Sequence, residues 1–381
     1  MKDLGDNRAL EILSVTHYMP PHQGGIERVA EALVEGLRAR GHAVRWLASA
    51  TPARAGWDGH LLRVPALNAL EVRLGVPYPL WSPAEALTVW EEVSRADLVH
   101  VHDCLYLGSC LAALACRAQG KPLVVTQHVG YVPFGPALDR VQRVAYHTLG
   151  RAVLGSASAV VTLSAHVEDF FTSLRLRPRF RRIPNAVDDT RFRPARWDER
   201  PALRARWGVP EGGPVVLFVG RLVPKKGVAE VLAAQRALAA RGTTLLVCGE
   251  GPLRPSLEGV PGLVHHPSVP HAAMPELYHL SDALLLPSRG EGLPLSLQEA
   301  LATGLPAVVS DDPAFALNVG DFPGVRLAAD ADGLVRAVQR ALEEHATEAS
   351  RASIAREAHA RWGGERVLDA YLALYRELLA G

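Results

Sequence analysis

A chain of 381 residues is long enough for two domains of ordinary size, each with its own core. With 48% apolar and 21% charged residues and a net charge of +1 at pH 7, it has the composition of a water-soluble globular protein, and no charge imbalance that suits nucleic acid as a partner. No apolar run approaches the ~20 residues needed to span a bilayer, and Met1 to Arg8 is too polar for a secretory leader, so a cytoplasmic location is expected. Cys104, Cys110, Cys116 and Cys248 contain no Cys-x2-Cys pair, which argues against zinc and reads as small buried hydrophobes in a reducing compartment.

Glu11 to Thr16 reads as a buried strand, followed by a loop with Gly24 and Gly25. Ile26, Val29, Ala30, Leu33, Val34 and Leu37 then recur at helical spacing before Gly41, and Val44 to Ala48 is the next strand. This is a βαβ opening whose glycine turn could approach a phosphate, although paired glycines more often simply make a turn. Residues 52–92 carry five prolines and weak periodicity, which predicts an irregular region. Asp97 to His102 alternates as a strand with His100 and His102 on one face, more readily paired histidines than a metal seat. Leu111 to Arg117 is helical, and Pro122 to Gln127 is a strand that delivers His128 to its carboxyl edge, where open α/β sheets bind ligands. A satisfied loop histidine is the other reading of His128. Val141 to Leu154 predicts one amphipathic helix, and Ala159 to Leu163 a strand.

Arg175, Arg177, Arg179, Arg181 and Arg182 form a dense basic run, either a solvated edge or a contact for an anionic membrane surface. Residues 189–213, rich in proline and ending in Gly212-Gly213, read as a linker. A second α/β series follows. Val215 to Gly220 is a strand, Arg221 to Gly227 a turn and Val228 to Ala240 a helix; Arg221 and Lys226, the latter one of only four lysines in the chain, are two cations that could hold a departing diphosphate. Leu245 to Gly249 is a strand whose Gly-Glu-Gly-Pro end fails the dinucleotide fingerprint, because Pro252 intervenes and Arg254 stands where the last glycine belongs.

Ala283 to Leu286 is a short buried strand, and Pro294 to Thr303 a helix with Gly304 just past its end. Amides near Gly292 and Leu293 would carry the positive end of that helix toward an anion. Glu291 and Glu299 bracket the helix start at a spacing that suits one acid for a hexose and the other for a ribose; an ordinary capping acid and a surface acid are the alternative. Helices are also predicted from Ala329 to Glu344 and from Glu365 to Leu379, the last with an apolar stripe of Val367, Ala370, Tyr371, Leu374 and Leu378.

The string from Pro287 to Pro306 resembles the Glu-x7-Glu signature of the family 4 retaining glycosyltransferases. The Gly24-Gly25-Ile-Glu-Arg-Val string resembles the family's amino-terminal motif, and Gly220-Arg-Leu-Val-Pro-Lys-Lys-Gly its phosphate-clamping one. Ile183-Pro-Asn-Ala-Val-Asp resembles the motif before its interdomain linker, with Ala186 in place of the usual glycine, while Ser310-Asp-Asp-Pro departs from the commoner glycine pair. The resemblance implies an α/β fold of the GT-B kind, two doubly wound Rossmann-like domains facing across a cleft. Residues 1–190, with a returning helix at 361–381, would form the acceptor side, and residues 191–360 the nucleotide-sugar side.

It further implies transfer of a hexose from a nucleoside-diphosphate sugar to a hydroxyl of a glycan or lipid-linked acceptor, by front-face displacement, without metal or cofactor. His128, Arg221, Lys226 and Glu291 would serve catalysis; Gly24, Gly25, Asn185, Gly292, Leu293 and Glu299 would bind substrate. A lipid-linked acceptor would place the enzyme against the inner face of the membrane. Two alternatives are a sugar-nucleotide epimerase of similar fold, which would convert donor without acceptor, and a sugar-nucleotide-binding protein without turnover. A nicotinamide oxidoreductase lacks its fingerprint.

Overall fold

The structure, a computed structural model, describes residues 8–22, 24–51, 53–74, 76–130, 136–173, 175, 179–194, 196–291 and 293–380. Gly292 and Arg177, both singled out above, lie outside the described residues. The chain divides into two compact units, Met1–Ala186 with Val367–Gly381, and Val187–Arg366. The sequence reading had placed this division at 190/191, with residues 361–381 returning to the first part.

In the first unit the strands are β1 (Glu11–Val15), β2 (Ala43–Ser49), β3 (Gly56–Asp58), β4 (Leu61–Val64), β5 (Ala66–Leu67), β6 (Leu80–Trp81), β7 (Leu98–His102), β8 (Leu123–Gln127), β9 (Ala159–Thr162) and β10 (Phe180–Arg182). Eight of them form one sheet in the order β10-β9-β8-β7-β1-β2-β4-β3, parallel except for the β3–β4 pair, while β5 and β6 pair with each other. Leu13, Val15, Val99, Val101 and Val125 enter a core on one face; Ile12, Val44, Trp46, Leu98 and Val124 enter a second core on the other. That near-continuous apolar character is what a parallel sheet covered on both faces requires. The C-terminal helix Gly364–Ala380 supplies Val367, Leu368, Tyr371, Leu372, Leu374 and Tyr375 to the second core, with Leu378 packed against it, so the predicted stripe is core packing apart from Ala370, which is exposed.

The second unit holds β11 (Val215–Val219), β12 (Thr244–Cys248), β13 (Leu263–His266), β14 (Ala283–Leu286), β15 (Ala307–Ser310) and β16 (Val325–Ala328). They form one sheet in the order β13-β12-β11-β14-β15-β16, every pair parallel. Its residues alternate between two cores in the same way, Leu217 and Leu284 to one, Phe218 and Leu285 to the other. In each unit the strand order reverses once, between β1 and β7 and between β11 and β14, the position where open α/β sheets take their ligands.

Two expectations need correction. Residues 52–92 are not irregular: they contain β3 to β6 and the helices Ala69–Leu74 and Glu85–Ser94, with prolines such as Pro65 and Pro83 falling between elements. The 189–213 stretch is not a bare linker. Pro201 opens a helix, Arg200–Arg206, whose Arg200 and Arg204 both bond Asp282 just before β14, at 2.5 and 3.1 Å. The helix expected from Val141 to Leu154 is present as part of one helical run, Pro136–Ala145, the π-helical Tyr146–Gly150 and Arg151–Ser156, with αR backbone at each junction, and the Tyr146 hydroxyl donates to the carbonyl of Gly130.

Candidate active site

At the carboxyl edge of the second unit, three strand-end loops are locked to one another through their backbones. The Gly220 amide donates to Cys248 (3.0 Å), Leu222 to Glu250 (2.8 Å) and Arg289 to Lys225 (3.0 Å). Two glycines permit this approach. Gly227 sits at φ 72°, where a side chain would press on the Pro287 carbonyl, and Gly249 at φ 144°, where one would overlap the Gly220 carbonyl. The turn after β11 is thereby held against the loop after β14.

That contact brings Lys226 and Glu291 together. The ammonium lies 2.5 Å from the carboxylate, whose other oxygen accepts from the Ser288 hydroxyl at 3.2 Å. Lys225, beside it, has its pKa lowered by burial, with Glu291 opposing. Arg221 is exposed and has no side-chain partner among the described residues. Asp312 pins the loop from the other side, accepting from the Gly290 amide at 3.0 Å while it caps the helix Pro313–Val319. Asp312 lies in the stretch that departs from the family pattern, and sequence reasoning gave it no task.

The helix after β14 runs Leu295–Ala302, and no side chain caps its start at Pro294. Leu293 is buried in the core, so its side chain anchors the loop. Glu299 is no surface acid: it is 6% exposed, and its two oxygens accept from the Tyr278 hydroxyl and meet Nε2 of His271, each at 2.8 Å. Its partners Tyr278 and His271 escaped the sequence reading, since nothing in their local pattern marks them. Cations, a buried carboxylate and an uncapped helix start at one sheet edge can together hold an anion and a polyol on either side of it.

The edge of the first unit is drier. His128 is buried, its amide donates to Asp103 Oδ1 at 2.8 Å, and its Nε2 meets Nδ1 of His102 at 2.8 Å. Asp103, a non-glycine residue at φ 62°, also accepts from the Gln127 side chain at 2.7 Å. Burial holds His128 down at about 3 and raises Asp103 to about 7. Gly24 precedes the helix Gly25–Ala39, and a side chain there would overlap the Glu27 carboxylate; above Gly25 the space is open among the described residues.

Glu27 in turn bonds His22 at 2.8 Å, and His22 bonds Glu71 at 3.1 Å. Burial opposes a charge on His22, but the two acids outweigh it and raise its pKa. Glu27 was visible in the Gly-Gly-Ile-Glu string and was given no role; His22, Glu71 and Asp103 had no signal beyond residue type. Asn185 is buried just after β10. His100 and His102 stack at 4.5 Å, and His100 bonds Thr126 and Tyr375, the expected strand-end pairing in place of ligand spacing.

Comparison with known proteins places this geometry. The model described as Glycosyltransferase Family 4 matches residues 23–191, and that described as Glycosyl transferases group 1 matches residues 199–360. A 2-deoxystreptamine glucosyltransferase of Streptomyces kanamyceticus is 33% identical over 69% of this chain and 73% of its own. A GDP-mannose-dependent alpha-mannosyltransferase of Mycolicibacterium smegmatis is 30% identical over 79% and 80%. Among solved structures, Anabaena HepE in complex with UDP-glucose aligns with a TM-score of 0.74 at 17% identity, over 97% of this chain and 99% of that one. WaaG, a glycosyltransferase involved in lipopolysaccharide biosynthesis, aligns at 0.68 and 20%, over 94% and 99%. The two Rossmann-like units with the GT-B fold, and the relatives that match both halves, make this chain a glycosyltransferase of family 4, group 1.

Proposed function

We propose that the protein transfers a hexose from a nucleoside-diphosphate sugar to a hydroxyl of a glycan or lipid-linked acceptor with retention of anomeric configuration. The observation that carries the reading is the Lys226–Glu291 pair at the strand-order reversal of the second unit, held by loops that glycines lock in place. An incoming diphosphate competes for Lys226 and takes the exposed guanidinium of Arg221, which releases Glu291 to accept hydroxyls of the sugar. Glu299, kept in register by Tyr278 and His271, accepts from the ribose. The amides at the uncapped start of the helix Leu295–Ala302 complete the phosphate contacts.

In the front-face step the acceptor oxygen bonds to the anomeric carbon as the bond from that carbon to the phosphate oxygen breaks. The acceptor proton passes to the leaving phosphate, and Arg221 and Lys226 stabilise the charge that develops there. Charge stabilisation of this type is worth about 3 kcal/mol per donor group. Because the sequence offers no acidic cluster as a metal seat, the reaction is expected to run without a divalent cation; loss of turnover in chelator would contradict that part. The basic run gives no comparable support to a membrane contact, because Arg179 and Arg181 pair with Glu377 and Arg182 with Glu168. Among the described residues no helix is long and apolar enough to cross a membrane.

The names of the relatives widen the acceptor class to a small aminocyclitol such as 2-deoxystreptamine and bring both glucosyl and mannosyl donors into range. The test is to incubate the full chain with uridine, guanosine and adenosine diphosphate sugars and a panel of acceptor hydroxyls, and to read the product's anomeric configuration by NMR. Retention supports the proposal, and inversion overturns the front-face step.

A further inference from the structure

His128 has one ring nitrogen engaged and one with no partner among the described residues: Nε2 faces Nδ1 of His102 at 2.8 Å, and Nδ1 is left over. Which of the two carries the proton decides whether the ring offers a donor or an acceptor. Burial keeps both rings neutral, His128 at about 3 and His102 well below its ordinary value, so the contact joins one N–H to one bare nitrogen.

The far side of His102 breaks the tie. Its Nε2 is buried and has no hydrogen-bond partner among the described residues. Were the His102 proton there, a buried N–H would be orphaned, the rarer and costlier arrangement; with the proton on Nδ1, the atom left over is a bare acceptor. The His102 ring is kept from turning by its stack on His100, 4.5 Å away, and His100 is held by Thr126 at 2.6 Å and by Tyr375 of the C-terminal helix at 2.7 Å.

We propose that His102 is a positioning residue: its Nδ1–H donates to Nε2 of His128 and thereby fixes His128 in the tautomer that presents an Nδ1–H donor at the carboxyl edge of the sheet. The ring then serves as a neutral hydrogen-bond donor to a ligand oxygen and cannot act as a base. The kinetic consequence rests on the resemblance, which assigns His128 to catalysis; the tautomer itself does not.

The experiment is nitrogen-15 NMR of the full chain with labelled histidine at neutral pH, with the His128 signals identified by their loss in His128→Gln. Protonated Nδ1 and bare Nε2 on His128 is the expected result; the reverse overturns the proposal outright, with no variant of His102 needed. His102→Asn keeps a donor close to the position of Nδ1 and should retain both the tautomer and kcat within about threefold. His102→Leu removes the donor, should return His128 to the Nε2–H form that free imidazole favours, and should lower kcat on the order of tenfold with donor KM little changed. Equal losses in the Asn and Leu variants with an unmoved His128 tautomer would overturn the positioning role. The expected tautomer shifts with turnover unchanged would sustain the assignment and refute instead the contact of His128 with substrate.

Discussion

At the carboxyl edge of the Val187–Arg366 sheet Lys226 and Glu291 are charged, paired and partly wetted, and Arg221 beside them is exposed. At the corresponding edge of the Met1–Ala186 sheet, His128, His102 and Asp103 are buried, and the two rings are neutral. The same topology, a parallel sheet with one reversal of strand order, thus carries a charged pair at the strand ends of one unit and, at the end of β8 in the other, a buried hydrogen-bonded cluster, with the His22, Glu27 and Glu71 ion pairs beside its glycine turn. Charges near water can exchange partners with an incoming anion at modest desolvation cost, whereas buried neutral rings hold geometry and cannot readily change protonation state.

The largest expected effect separates the units by pH. His17, His100, His102 and His128 all have folded-state pKa values depressed by burial, to about 4, about 3, well below normal and about 3. Below pH 6.5 the unfolded chain takes up these protons and the folded chain does not, so stability falls with pH. Asp103, raised to about 7, opposes them with one proton held only when folded. The four histidines outnumber it, so the first unit loses stability as the pH is lowered through this range, whereas in the second unit His279 and His345 are the histidines that burial lowers. His22 works on the alkaline side: its pKa is raised, so its contribution is present below about 6.5 and fades as pH rises through its folded value. Hydrogen exchange resolved by peptide at pH 7 and pH 5 should show protection lost first in the Met1–Ala186 unit. Equal loss in both would remove the contrast.

Next in size, Lys226→Gln should lower kcat by 10²- to 10³-fold, about 3 kcal/mol, in steady-state transfer assays. His128→Gln, which keeps a neutral donor, should lose far less. Gly249→Ala should destabilise the second unit by about 1–3 kcal/mol in thermal unfolding, because a side chain at φ 144° meets the Gly220 carbonyl and separates the loops. The smallest effect is expected from Glu299→Gln. It leaves Tyr278 and His271 with an amide in place of a carboxylate, and should weaken nucleoside diphosphate binding about tenfold, ~1.4 kcal/mol, by calorimetry.

Much of this was readable beforehand where residues follow local rules. The strand at Ala283–Leu286, the helix behind it and the Arg221 to Gly227 turn came from apolar runs and glycine positions. What stayed hidden depends on tertiary contact. Lys226 and Glu291 were given separate tasks, and only the Arg289–Lys225 backbone bond and the conformation of Gly227 show that they pair. Pro201 reads equally well as a linker residue and as the first turn of a helix, and Asp282, 81 positions away, decides for the helix. His102 differs from any other strand histidine only through its 2.8 Å contact with a residue 26 positions on.

The central claim is that a diphosphate is held at the charged edge by Arg221 and Lys226. Isothermal titration of UDP, GDP and ADP into the wild-type chain, Arg221→Gln and Lys226→Gln tests it most directly. The account predicts that at least one of the three binds the wild type and that each variant binds it on the order of a hundredfold more weakly; affinities unchanged by both substitutions would contradict it.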